Sequence, residues 1–163
     1  MRYDAQDVFK TATGFDAATA AIVAKLGQTN DIATYVSPFV TVASFTIEVY
    51  LKCLFMLDHG RPAPRSHKWD TLFGQLSKEN RVEIEKLYNQ FVATDPLVQD
   101  MVQRVPGTKL DLSSFLKDAG SAFVNWRYMY ERKLTSFPTS GPLIRALRER
   151  IQTLKPEWFE ENK

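Results

Sequence analysis

The run 39-FVTVASFTIEVYLKCLFML-57 decides the fold class of this chain. It is far longer than the roughly 5–6 residues of an ordinary strand, and its apolar residues do not alternate. Phe39, Val40, Val42, Phe45, Ile47, Val49, Tyr50, Leu51, Leu54, Phe55 and Leu57 cover nearly the whole circumference of a helix. A helix apolar all round lies at the centre of a bundle or in a bilayer. Glu48 and Lys52, in the second half of the run, favour the bundle, because about 20 uncharged residues are needed to span. Upstream the helix reads back to about Asp31, with Pro38 expected to kink or restart it.

Helical periodicity continues on both sides. From Asp4 to Leu26 one stripe collects Val8, Phe9, Ala12, Phe15, Ala18, Ile22, Val23 and Leu26, and Gly27 and Asn30 supply stop signals. Beyond the central helix, His59-Gly60 and Arg61-Pro62-Ala63-Pro64 predict a stiff loop. Ser66 is the expected N-cap of a short helix carrying Trp69 and Leu72. Ser77 is that of a fourth, with Val82, Ile84, Leu87, Tyr88, Phe91 and Val92 mostly on one face. Asp95-Pro96 opens a short fifth helix that includes Leu97 and Val98. Asp111 opens a sixth, running to about Lys133, and Pro142 starts the last, which Pro156 stops. Strand-like alternation and internal repeats do not occur. The expectation is an all-α, up-down bundle of four or five helices, formed as one domain over residues 1–163.

Composition removes several function classes. Hydrophobic residues at 44% and charged residues at 25% are ordinary globular values. A net charge of +2 is too small for a dedicated nucleic-acid binder, yet leaves room for a local basic patch. One cysteine, Cys53, excludes an internal disulfide and a multi-cysteine zinc site; within Cys53-Leu54-Phe55-Met56-Leu57 it reads as a small buried hydrophobe. Two histidines, His59 and His67, show no metal-ligand spacing, so no metal or other cofactor is expected. There is no Gly-x-Ser-x-Gly elbow, and the seven glycines are isolated, so no phosphate loop exists. The stretch Met1 to Asp7 lacks the apolar core of a secretory signal, and the expectation is a soluble cytoplasmic protein that does not engage a membrane.

Two stretches break the apolar pattern. On the central helix Thr41, Ser44, Glu48 and Lys52 fall in one narrow polar stripe, and Glu48 and Lys52 form an i, i+4 pair in the favourable order. Either the stripe is the solvent strip of a mostly buried helix, or it lines a polar cleft. On the late helix Arg127 lies at the edge of the apolar face, on the flank of Gly120. A buried guanidinium there requires an acid or a phosphate. Glu131, one turn on, and Glu48, across the bundle, are the candidate acids, so Glu48, Lys52, Arg127 and Glu131 form a candidate polar cluster.

The run Ala43 to Leu54, the Pro-rich loop, and Ser66-His67-Lys68-Trp69-Asp70-Thr71-Leu72-Phe73 resemble the HEPN superfamily. Its members often carry an E-x-x-L-K-A-L helix followed by an H-D-L-x-x-L helix start. The segment Trp126-Arg127-Tyr128-Met129-Tyr130-Glu131 is similar to an R-Y-x-Y-E segment of such proteins. The resemblance covers roughly Phe39 to Arg132. It implies an up-down helical bundle, a homodimer and, in active members, a metal-independent ribonuclease with Arg, four to six residues, then His. It also implies a nucleotidyltransferase as partner protein, in toxin–antitoxin or defence-type systems, and RNA or a nucleotide as ligand. No His follows Arg127 at that spacing; a literal match runs from Arg61 to His67. His67, Arg61 and Arg127 are therefore the catalytic candidates under a ribonuclease reading. The departure on the late helix favours a non-catalytic binding or regulatory module; a helical interaction protein unrelated to the family remains the third reading.

Overall fold

The computed structural model describes residues 4–104, 107, 109–119 and 140–162. These form α1 (Ala5–Thr29), α2 (Ile32–His59), α3 (Trp69–Gly74), α4 (Lys78–Thr94), α5 (Pro96–Arg104), α6 (Leu112–Ala119) and α7 (Gly141–Leu154). A 3-10 helix, Pro156–Asn162, follows. Among the described residues there is no strand, as the 3.6-residue periodicity requires. The late-helix residues Gly120, Trp126, Arg127, Tyr130 and Glu131 lie outside the described residues.

Short polar side chains set the helix boundaries. Asp4 accepts a hydrogen bond from the Gln6 amide at 2.9 Å, and Asp31 accepts from the Thr34 amide at 3.1 Å, opening α1 and α2. Asn30 ends α1 in the left-handed region at φ 52°, where an asparagine is tolerated better than most residues. Gly60 ends α2 at φ 61° and its amide donates to the Met56 carbonyl at 2.9 Å. Pro38 sits inside α2 without breaking it, one turn after Thr34, whose carbonyl forgoes the usual amide. Ser77 caps α4 through the Asn80 amide, and Asp95 caps α5 through the amides of Leu97 and Val98. The α3 boundary differs from expectation. Ser66 accepts from the Lys68 amide at 3.1 Å in a turn, Lys68 is extended, and the helix starts at Trp69 without a side-chain cap.

The bundle is assembled on α2. Twelve of its residues are buried, more than in any other described element, among them Ile47, Tyr50, Leu51, Cys53 and Leu54 at 0% exposure. By length and composition α2 also qualifies to cross a bilayer, but 67% of its most apolar window is already covered by the rest of the chain. α1 packs along α2, α7 packs on α2 and α4, and α3 bridges α2 to α6. The 3-10 helix closes over α1: Trp158 and Phe159 stand 5.3 and 5.0 Å from the Phe9 ring. Membership of an apolar stripe does not guarantee burial. Val23, Val82 and Leu97 are exposed, and no residue from 20 to 39 is buried. The stripe of α1 outlasts the neighbours that cover its first half.

Candidate functional site

The polar stripe of α2 is not a solvent strip. Ser44 is buried and its hydroxyl donates back to the Val40 carbonyl at 2.7 Å, which satisfies it inside the helix. Glu48, one turn on, is 6% exposed. A carboxylate at that depth needs partners. Among the described residues it has two: the Lys52 ammonium donates to Oε1 at 2.6 Å, and His67 Nδ1 lies 3.0 and 3.1 Å from the two oxygens. Carboxylate oxygens accept, so Nδ1 carries the proton and Nε2 is the ring nitrogen left for another partner. The His67 side chain is 72% exposed and that of Lys52 22%. A buried acid thus tethers an exposed imidazole, with an ammonium at its side.

The segment that carries His67, between α2 and α3, is chemically one-sided. From 59 to 68 it reads HGRPAPRSHK: three cations, two imidazoles and no acid. Arg61, Arg65, His67 and Lys68 are all exposed. Pro62 and Pro64 fix φ on alternate residues and stiffen the path. Its first half is clamped to the core by Phe55: the Arg61 guanidinium lies 5.2 Å from that ring and the His59 imidazole 4.3 Å. His59 Nε2 is 2.9 Å from the Gln75 carbonyl oxygen, so this nitrogen carries a proton. Among the described residues, Arg61, Arg65 and Lys68 form no ion pair with an acid.

Of the sequence candidates, Glu48, Lys52 and His67 come together. Arg61, matched to His67 by spacing, takes a different partner, the Phe55 ring. Arg127 and Glu131 lie outside the described residues, and so does any pairing of Arg127 with Glu48. Sequence reasoning missed the Glu48–His67 contact, because it joins a helix to an irregular segment and no periodicity spans the two. The available signal was a single carboxylate within the apolar run 39–57, with few nearby groups able to satisfy it.

Two other polar networks are structural. Arg150, 7% exposed, donates from Nε to Asn80 and from Nη2 to Glu79 at 2.8 Å. Asp58 accepts from the Ser77 amide and the Asn80 side chain, each at 2.7 Å. Tyr50 donates to Asp16 at 3.2 Å; burial, with the Asp16 charge beside it, pushes its phenol well above the usual range. Burial likewise pushes the Cys53 thiol up to about 12, which makes it inert as a nucleophile near neutral pH. Among the described residues no cluster of His, Cys, Asp and Glu is arranged to hold a metal ion. No protein-family model, no curated protein and no solved structure matches this chain.

Proposed function

We propose that this protein is a HEPN-like helical binding module that takes the phosphate of RNA or a nucleotide on the segment between α2 and α3. The observation that carries this reading is the run of exposed Arg61, Arg65, His67 and Lys68, free of acids, with His67 tethered by the buried Glu48. Arginine forks, a lysine and an imidazole on a stiff backbone suit a phosphate, and the tether lowers the ordering cost at one of them. Binding rather than cleavage follows from the count of groups. A metal-independent phosphodiester cleavage is served by a general base and a general acid at one phosphate. Among the described residues one imidazole, His67, is held by a carboxylate; the Nε2 of His59 is taken by the Gln75 carbonyl, and Arg61 rests on Phe55. The setting we propose is cytoplasmic: a homodimer that works beside a nucleotidyltransferase in a toxin–antitoxin or defence-type pair.

A ribonuclease is the second reading, favoured by the Glu48–His67 contact. A carboxylate on Nδ1 fixes the tautomer and leaves Nε2 without a proton, the position a general base uses. One experiment separates the two. Labelled single-stranded RNA is incubated with the protein in EDTA, and binding and cleavage are read together. The binding reading expects salt-sensitive binding, no cleavage, and at least tenfold weaker binding for the Arg65→Ala/Lys68→Ala double variant. Cleavage that His67→Ala abolishes replaces it with the ribonuclease reading. Absence of binding to RNA and nucleotides at low salt overturns both.

A further inference from the structure

The clamp at the start of the basic segment encloses an open niche of about 370 Å³, lined by Phe55, His59, Arg61, Pro62, Pro64 and Gln75. That volume sits at the low end of small-ligand sites, about 300–1,000 Å³. Phe55 is 2% exposed and forms the floor, while Arg61 and His59 are exposed and lie over it. Both upper groups are flat. The His59 ring is held by Phe55 on one side and by its hydrogen bond to the Gln75 carbonyl on the other. The two prolines form a rim with little conformational freedom to lose. Arg61 is exposed, and its guanidinium forms no ion pair with an acid among the described residues.

We propose that this niche is a base-stacking subsite for one nucleotide of a single-stranded nucleic acid, whose phosphates are held by Arg65, His67 and Lys68. The proposal rests on the phosphate-binding reading above and adds what that reading lacks, a place for the base. A nucleotide presents a flat ring and an anion in succession. The segment presents flat cationic and imidazole groups at 59 and 61, then exposed cationic and imidazole side chains at 65, 67 and 68. Guanidinium groups and aromatic rings are the usual platforms for unstacked bases, and such stacking tolerates any base. The surroundings of the niche also disfavour a peptide in extended pairing, since no sheet edge exists among the described residues.

The test compares three ligands on the wild type and on Arg61→Lys, which keeps the charge and removes the planar group. The ligands are a short single-stranded oligonucleotide, an abasic backbone of equal length, and an acidic peptide of equal charge. We expect the wild type to bind the base-bearing strand about tenfold tighter than the abasic one, as one stacked base predicts. Arg61→Lys should bring that ratio close to one, by weakening the base-bearing strand at least about fivefold more than the abasic one. Equal binding of both strands to the wild type overturns the subsite and leaves the phosphate reading standing. No binding of either strand overturns the phosphate reading itself. An acidic peptide that binds as tightly as the oligonucleotide overturns the nucleic-acid assignment of the niche.

Discussion

Glu48 shows how one side chain converts an apolar helix into a carrier of chemistry. Most of its neighbours on α2 are apolar, and among the described residues the carboxylate is satisfied by Lys52 one turn on and by His67, which arrives from the loop. Removing a partner from a fully buried pair costs about 3–5 kcal/mol, and Lys52 and His67 both retain water. Glu48→Ala is therefore expected to cost less, about 1–3 kcal/mol, read as a lower urea midpoint at unchanged slope. A change within error would mean that the carboxylate is solvated and the tether does not exist. The conservative Glu48→Gln should keep most of the stability and still loosen His67, visible as sharper imidazole resonances in NMR spectra. Cys53 gives a second test at this scale. With its thiol pushed up to about 12 and its Sγ donating to the Ala5 carbonyl, it should resist a thiol reagent at pH 8 in the native state and react after denaturation. Rapid native labelling would contradict its burial. From the sequence, Glu48 and Lys52 were legible as a pair because they are four residues apart on one helix. His67 was legible as a candidate by residue type alone. What joined them is a loop path, and side-chain periodicity says nothing about where a loop path goes.

At the level of the elements, the boundaries were written most plainly in the caps. Asp31, Gly60, Ser77, Pro96 and Pro142 mark helix ends through side-chain oxygens, through proline's fixed φ or, at Gly60, through glycine's tolerance of the left-handed region. Ser66 misled because a serine hydroxyl serves a two-residue turn as readily as a helix start, and here it does the former. Val82 misled because a stripe on α4 is wider than the face that α7 and α6 cover. Missing altogether was the loop-to-helix stitch around α4. Asp58, at the end of α2, accepts from the Ser77 amide and from Asn80, which is 2% exposed and also receives Arg150 from α7. Three helices thus meet on one amide side chain. Asp58→Ala removes two charge-assisted hydrogen bonds and leaves the Asn80 amide without an acceptor. The expected loss is about 2–4 kcal/mol. A double cycle with Arg150→Ala should show coupling of at least about 0.5 kcal/mol, since both act through Asn80; strictly additive losses would deny the shared node.

The whole molecule carries a pH signature. Cys53 and Tyr88 are buried neutral, each pushed up to about 12, and Tyr50 is raised further. In the unfolded chain the thiol ionises from about pH 8.5 and the phenols from about pH 10. Raised acids stabilise the fold fully below those unfolded values, and the contribution is lost as pH climbs toward the folded ones. Stability should therefore be flat across neutral pH and fall from about pH 9 upward, by about 5–10 °C in Tm near pH 10.5. A flat profile to pH 11 would mean that these groups are reached by water. Cys53→Ser should trim the thiol part of the alkaline slope and leave the tyrosine part. The fold class at this scale was open to reading because the apolar circumference of one helix dictates a bundle around it. The assembly of charges was not, because Glu48 meets His67 across 19 residues and Asn80 meets Arg150 across 70.

The dominance of α2 also bears on how the chain survives its own synthesis. Translation delivers α1 and then α2, so these two pair while the rest is still being made. α7, which packs against α2 and α4, begins roughly eighty residues after α2 ends. At about 5–20 residues per second that leaves the second apolar face of α2 bare for about 4–16 s on the ribosome. For that interval the helix displays the same apolar face that a bilayer or a holdase chaperone would seize.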